Sequence, residues 1–101
     1  MLVVRFKITC APGKTEHALA LFEPVVAPSR ATPGVISFDV ARDIVDPNAI
    51  VAVEVFEDRD AMDRQESLPE VGKVLSSLPQ IVAAPPEATI FHVSGTESPL
   101  G

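Results

Sequence analysis

The stretch IVAVEVFEDRDAMDRQES, residues 50–67, decides the fold, because an apolar strand runs directly into a short acidic helix. Residues 50–56 are apolar at both odd and even positions, and Glu54 is the only charged residue among them. A strand with one solvated face should instead alternate with polar residues. Residues 49–57 are therefore expected to form a central strand whose second face is also shielded.

Two explanations of that second face remain open. Long neighbouring side chains such as Arg5 and Lys7 could shield it with their aliphatic stems. A second copy of the chain could instead pack sheet to sheet, since large apolar patches are uncommon on monomers. The second explanation predicts a homodimer joined through the sheet faces. The candidates for its dimer face are Arg5, Lys7, Glu54 and Phe56, with Val51, Val53 and Val55 turned towards the helices. The two faces could also be swapped, because this strand is apolar on both sides.

The rest of the chain supplies three more strands and two longer helical segments. Period-two patterns predict strands near 2–10, 34–42 and 88–95. A helix is predicted from about Lys14, with a kink or early end at 23–27 because prolines interrupt it. Asp58 is a predicted N-cap, and Ser67 with Glu70 resembles a capping box that opens a helix ended by Pro79.

The resulting order, β-α-β-β-α-β, predicts a ferredoxin-like α+β sandwich with two helices on one face of a four-stranded antiparallel sheet. Residues 1–95 are expected to form this single domain, and residues 96–101 a loose C-terminal tail. The net charge of −6 and the absence of Trp and Tyr argue against nucleic acid and anionic membranes as partners. One cysteine and no apolar run of membrane-spanning length favour a cytoplasmic protein.

Several segments resemble the antibiotic-biosynthesis-monooxygenase-like branch of the dimeric α/β-barrel proteins. They are PGK at 12–14, SRATPGVISFDVARD at 29–43, and EVFEDRDAMDRQES at 54–67. The resemblance covers roughly residues 1–95 and implies homodimers whose sheets face each other. It also implies activities that range from cofactor-independent oxidation of quinols and polyketide aromatics to haem degradation, while other members have no known activity.

The resemblance aligns Glu54 with a glutamate of the family, Phe56 with a tryptophan, and Gln65 with a histidine. Phe38 stands where a tyrosine is common. Gln65 can donate and accept hydrogen bonds but cannot exchange a proton near neutral pH. The chain thus departs from the family pattern at its proton-transferring positions, and its catalytic residues are not identified by sequence.

Individual polar residues carry alternative interpretations. Glu54 either pairs with Arg5, with Lys7 or with a cation of a second subunit, or it is a buried base. Gln65 is either an exposed helix residue or a hydrogen-bonding group in a pocket. Neither His17 nor His92 has partners at ligand spacing, so no metal site is predicted.

A pocket, if the fold has one, is predicted between the helices and the sheet, lined by Phe6, Phe22, Phe38 and Gln65. The leading hypothesis is a cofactor-independent monooxygenase acting on a small aromatic quinol-type compound. The alternative is a non-catalytic binding or structural homodimer that kept the fold and lost the chemistry. Haem degradation is disfavoured because no axial histidine is evident.

Overall fold

The computed structural model describes all 101 residues and contains four strands and three helices. Their order confirms the predicted ferredoxin-like arrangement, with the short helix expected between the third strand and the last long helix. The elements are β1 (Leu2–Thr9), α1 (Thr15–Ala31), β2 (Val35–Arg42), β3 (Ala49–Phe56), α2 (Arg59–Glu66), α3 (Pro69–Ile81) and β4 (Glu87–His92).

The strands form one antiparallel sheet in the order β2-β3-β1-β4, so β3 and β1 are central. Side chains at paired positions share a face, because the pleat alternates along every strand. One such row faces the helices and the next faces away from them. The first row is Phe38–Glu54–Val4–Ile90, and the second is Asp39–Val53–Arg5–Thr89.

The core lies between the helices and one face of the sheet, and it has two parts. The larger part joins Ile8, Phe38 and Ile50 of the sheet to Phe22 of α1 and Leu78 of α3. The smaller part lies under α2 and consists of Leu2, Val4, Phe56, Ala61 and Met62. The opposite sheet face carries no helix and is called the open face below.

Two helix boundaries differ from the sequence expectations. The early end of α1 at 23–27 is wrong, because α1 continues through both prolines to Ala31. A proline removes only one backbone donor, and burial of Val25 and Ser29 against the core outweighs that loss. Ser67 does not open α3, since its hydroxyl donates to the Asp63 carbonyl. The last helix starts at Pro69 and passes Pro79 to end at Ile81.

None of the helices is both long enough and apolar enough to cross a membrane.

The turn before β2 fixes the position of α2. The predicted N-cap is confirmed, because the Asp58 carboxylate accepts a hydrogen bond from the Ala61 N–H at 2.9 Å. Nε and Nη2 of Arg64 donate to the Pro33 carbonyl oxygen at 3.2 and 2.9 Å. Gly34 has φ +87°, and a Cβ there would lie 2.5 Å from the Cβ of Ala61. Only glycine permits this backbone and this close approach of α2.

Gly34→Ala should therefore destabilise the protein by about 2–4 kcal/mol, because it adds a strained φ to a steric clash with α2. Urea unfolding monitored by circular dichroism would measure this change in the free energy of unfolding. Gly72→Ala is the matched control, since Gly72 lies in α3 with open space around it. That control should stabilise the helix by about 0.5–1 kcal/mol, and an equal loss in both variants would contradict the steric explanation.

Candidate functional site

A cavity of about 410 Å³ lies between the sheet and the three helices. Every strand and every helix contributes to its wall, and 11 of its 14 lining residues are hydrophobic. Such a volume and lining suit a small apolar ligand with a few polar groups. The lining residues are Val4, Phe6, Phe22, Val25, Phe38, Ala52, Glu54, Gln65, Glu66, Val71, Val74, Leu75, Ala88 and Ile90.

Aromatic rings from three elements form one side of the cavity. The rings of Phe6 and Phe22 lie 6.5 Å apart between centroids, tilted by 46°. Phe38 of β2 is almost fully buried beside them. These three phenylalanines and Gln65 are the pocket candidates predicted from sequence, and all four line this cavity.

Gln65 is buried at the inner side of α2. Its Nε2 donates to the hydroxyl of Ser29, on α1, at 3.0 Å. Both residues are at most 2% exposed, so this hydrogen bond satisfies two polar groups that water does not reach. The side chain reaches under α1 because the Asp58 cap and the Arg64 contact fix α2 across the end of β3. The exposed alternative for Gln65 is thereby excluded.

Glu54 lies on the opposite face of the sheet from the one expected. It shares a row with Phe38 and Val4 and lines the cavity. Phe56 has the same parity and is completely buried under α2. The assignment of Glu54 and Phe56 to the dimer face is therefore wrong. Pairing of Glu54 with Arg5 or Lys7 is also wrong, because those two cations lie on the open face.

The environment of Glu54 changes its acidity. Burial, and secondarily the nearby Glu66 carboxylate, raise the pKa of Glu54 from 4.5 to about 7. Desolvation disfavours the charged form, and a like charge nearby adds to that effect. No cation of this chain offsets these effects. Glu54 is thus a carboxyl group that can exchange a proton near neutral pH, inside an apolar cavity.

The solvent-exposed part of the cavity wall, called its mouth below, is formed by residues of α2, α3 and β4. Glu66, Leu75, Ala88 and Ile90 line it and are exposed to solvent. Partial burial and then Asp63 raise the pKa of Glu66, while Arg59 lowers it by a smaller amount. The mouth of the cavity consequently carries a carboxylate, and its interior carries a second one.

Sequence reasoning missed both carboxylates as cavity residues. Glu54 shares its parity with Phe56, Ala52 and Ile50, which are all buried, but β3 is also apolar at its odd positions. Glu66 belongs to a helix whose polar residues outnumber its apolar ones, and no spacing signal separates it from solvated acids. His17 and His92 are exposed. No group of three or more His, Cys, Asp or Glu side chains could hold a metal ion.

The open face carries the residues that the sequence analysis turned towards the helices. Arg5 pairs with Val53, and Lys7 pairs with Val51, so these side chains lie together on this face. The expectation that Val51, Val53 and Val55 contact the helices is wrong. The apolar residues of this face include Val3, Ala41, Val51, Val53, Val55 and Phe91, and Val53 and Phe91 are 40% and 48% exposed.

Glu54→Gln should stabilise the protein at about pH 8 by on the order of 2–3 kcal/mol, because it removes an unpaired carboxylate from the cavity. The raised pKa means that the folded state holds the proton more tightly than the unfolded state. The wild-type free energy of unfolding should therefore fall as pH rises from about 4.5 to about 7. Urea unfolding at about pH 5 and pH 8 would show a larger advantage of the variant at the higher pH.

Glu57→Gln, at an exposed carboxylate on the same chain segment, is the control for that experiment. It should change the free energy of unfolding by no more than about 0.5 kcal/mol at either pH. A Glu54→Gln advantage that is equal at the two pH values would contradict the burial of an ionisable Glu54.

Comparisons with known proteins agree with this architecture. A protein of Mycobacterium tuberculosis has the same fold with a TM-score of 0.87 at 20% identity, covering 96% of this chain and 98% of that one. A protein of Pseudomonas aeruginosa gives a TM-score of 0.84 at 22% identity, covering 93% and 94% of the two chains. An uncharacterized protein of Synechocystis sp. is 30% identical over 97 residues, which are 96% of this chain and 66% of that relative's length.

Residues 1–75 match the family described as antibiotic biosynthesis monooxygenase. This match extends from β1 into α3 and includes Phe6, Phe22 and Phe38 as well as Glu54 and Gln65. The chain belongs to the antibiotic biosynthesis monooxygenase family.

Proposed function

We propose that the protein oxidises a small aromatic quinol-type compound with molecular oxygen, and that the compound binds in the cavity and gives a proton to Glu54. The observation that supports this proposal best is the placement of Glu54: a carboxyl group with a pKa of about 7 lines an apolar cavity with aromatic walls. A general base is most effective when its pKa is near the working pH.

The reaction needs no external reductant, because the substrate supplies the electrons. With an anthrone, the methylene carbon loses a proton to Glu54, and the resulting carbanion reduces oxygen and bonds to it as a peroxide anion. That anion takes the proton back from Glu54 to give the hydroperoxide, which restores the ionised carboxylate. Loss of water then leaves a carbonyl. One oxygen atom enters the product and the other leaves as water, and the four electrons come from the oxidised carbon.

The acidity of Glu54 decides whether this proton transfer is feasible. A phenolic proton has a pKa of about 10, so its transfer to an ordinary glutamate costs about 8 kcal/mol. Transfer to a carboxylate with a pKa of about 7 costs about 4 kcal/mol. Burial of Glu54 therefore halves the cost, at the expense of folding stability.

The other residues of the cavity orient the substrate and exclude water from it. The rings of Phe6, Phe22 and Phe38 can hold a planar substrate in one orientation. Gln65 is held by Ser29 and so presents a fixed polar group to that substrate. Gln65 cannot accept a proton near neutral pH, although the family resemblance aligns it with a histidine. In this proposal Glu54 accepts the proton instead.

Oxygen uptake with a panel of hydroquinones and anthrones tests the proposal. Wild-type turnover should increase as pH rises through about 7, because Glu54 must be ionised to accept the proton. Glu54→Gln should lower kcat by about 100-fold or more and leave substrate binding within a few-fold. Glu57→Gln, outside the cavity, should keep the wild-type rate.

Full turnover by Glu54→Gln would remove Glu54 from the reaction. Binding of the aromatic compounds without any oxygen uptake would instead favour the alternative, a binding protein that kept the fold and lost the chemistry.

We also propose that two copies of the chain pair through their open faces. Five valine and phenylalanine side chains lie on that face, of which Val53 and Phe91 are exposed and the other three are half-buried. The same face carries two cations, Arg5 and Lys7, and two acids, Asp39 and Glu87. In a two-fold symmetric dimer the open face of one chain packs against the open face of the other, which can bring opposite charges together.

Val53→Glu tests this pairing, because Val53 lies at the middle of the apolar residues on the open face. Light scattering should give twice the chain mass of 10.7 kDa for the wild type and the single mass for the variant. Ala20→Glu is the control, since Ala20 is exposed on α1, on the helix side of the sheet. A wild-type protein that is monomeric at micromolar concentration would contradict the pairing.

A further inference from the structure

We infer that Glu66 is a specificity-determining residue at the mouth of the cavity, which selects aromatic ligands that carry an ammonium group and rejects those that carry a carboxylate. The inference rests on the proposed use of the cavity as a ligand site. It adds the charge of the ligand, which the quinol-type chemistry alone leaves open.

The polar groups around the cavity are few and carry no positive charge. Only Glu54, Gln65 and Glu66 are polar, and no Lys, Arg or His lines the wall. The amide nitrogen of Gln65 already donates to Ser29. The ionised carboxylates can only accept hydrogen bonds. A ligand that brings a donor or a positive charge is therefore complementary to this wall, and an anion is not.

None of the eight Lys and Arg side chains lines the cavity. Lys14 and Lys73 are exposed. Arg30 and Arg42 are paired with Asp39 and Glu16 on the surface. Arg64 donates to the carbonyl of Pro33. The open face holds Arg5 and Lys7, on the other side of the sheet.

Arg59 is the only cation that affects the pKa of a cavity carboxylate. It lowers the pKa of Glu66, and this effect is the smallest of those that shift Glu66. The carboxylate of an anionic ligand would lie near two like charges and would gain no cation in return.

The cavity changes from apolar at its inner end to polar at its mouth. Its inner wall is formed by buried residues such as Phe22, Phe38 and Val74, whereas Glu66 is exposed at the mouth. A ligand with an aromatic body and an ammonium group at one end matches that gradient. The ammonium would stay partly hydrated beside Glu66, and it would offset the repulsion that Glu66 exerts on Glu54.

Three naphthalene probes with the same aromatic body test the inference: 1-naphthylmethylamine, 1-naphthylmethanol and 1-naphthylacetate. Isothermal titration calorimetry at about pH 7.5 should give affinities in the order amine, alcohol, carboxylate. About a tenfold difference or more is expected between the amine and the carboxylate, the equivalent of one favourable charge contact. None of the probes is a quinol, so their binding is independent of the proposed oxidation.

Substitutions at Glu66 separate charge selection from simple apolar binding. Glu66→Gln should bring the amine to within about twofold of the alcohol and leave the alcohol unchanged, because only a charge is removed. Glu66→Lys should make the carboxylate bind more tightly than the amine. Glu57→Gln should keep the wild-type order, since Glu57 is exposed and does not line the cavity.

Equal wild-type affinity for the three probes would overturn the charge selection and leave the cavity standing as a ligand site. An amine preference that survives in both Glu66 variants would overturn the role of Glu66. Absence of binding by all three probes would overturn the inference together with the ligand site on which it rests.

Discussion

The pleat of β3 is the constraint on which the site depends. Ile50, Ala52 and Phe56 are buried against the helices, and Glu54 has the same parity, so it has to point to the same side. β3 is central and pairs residue for residue with β1. The irregularity in its pairing with β2 lies at Val35–Ser37 of β2, so β3 itself keeps its alternation and none of its side chains changes face. A carboxyl group is thereby held inside the apolar layer by the burial of its neighbours.

Desolvation of Glu54 affects both the stability of the protein and the acidity of this carboxyl group. Desolvation makes the ionised Glu54 unfavourable, which lowers stability above neutral pH and raises the pKa of the group to about 7. Perturbed acidities of this kind are common at functional sites, where stability is given up for reactivity. Burial of Gln65 carries no comparable cost in stability, because its amide is neutral and hydrogen-bonded to Ser29.

The two sides of the sheet differ in the polar groups they carry. Acids and no cation line the cavity on the helix side, while the open face carries Arg5 and Lys7 together with Asp39 and Glu87. The two sides of one four-stranded sheet can therefore serve different purposes, a ligand site on one side and assembly on the other. The turn at Gly34 supports the first purpose, since it lets α2 approach closely enough for Gln65 to reach α1.

The sequence alone determined the order of the elements, the ferredoxin-like fold and the Asp58 cap, because each depends on local periodicity or on a side chain next to its own backbone. It also named Phe6, Phe22, Phe38 and Gln65, which the structure brings to one cavity. Tertiary structure alone decided the side of Glu54, since β3 is apolar on both faces and its pattern fits either orientation. Burial of Phe56 beneath Met62 of α2 resolves that ambiguity, and this contact lies outside any local pattern.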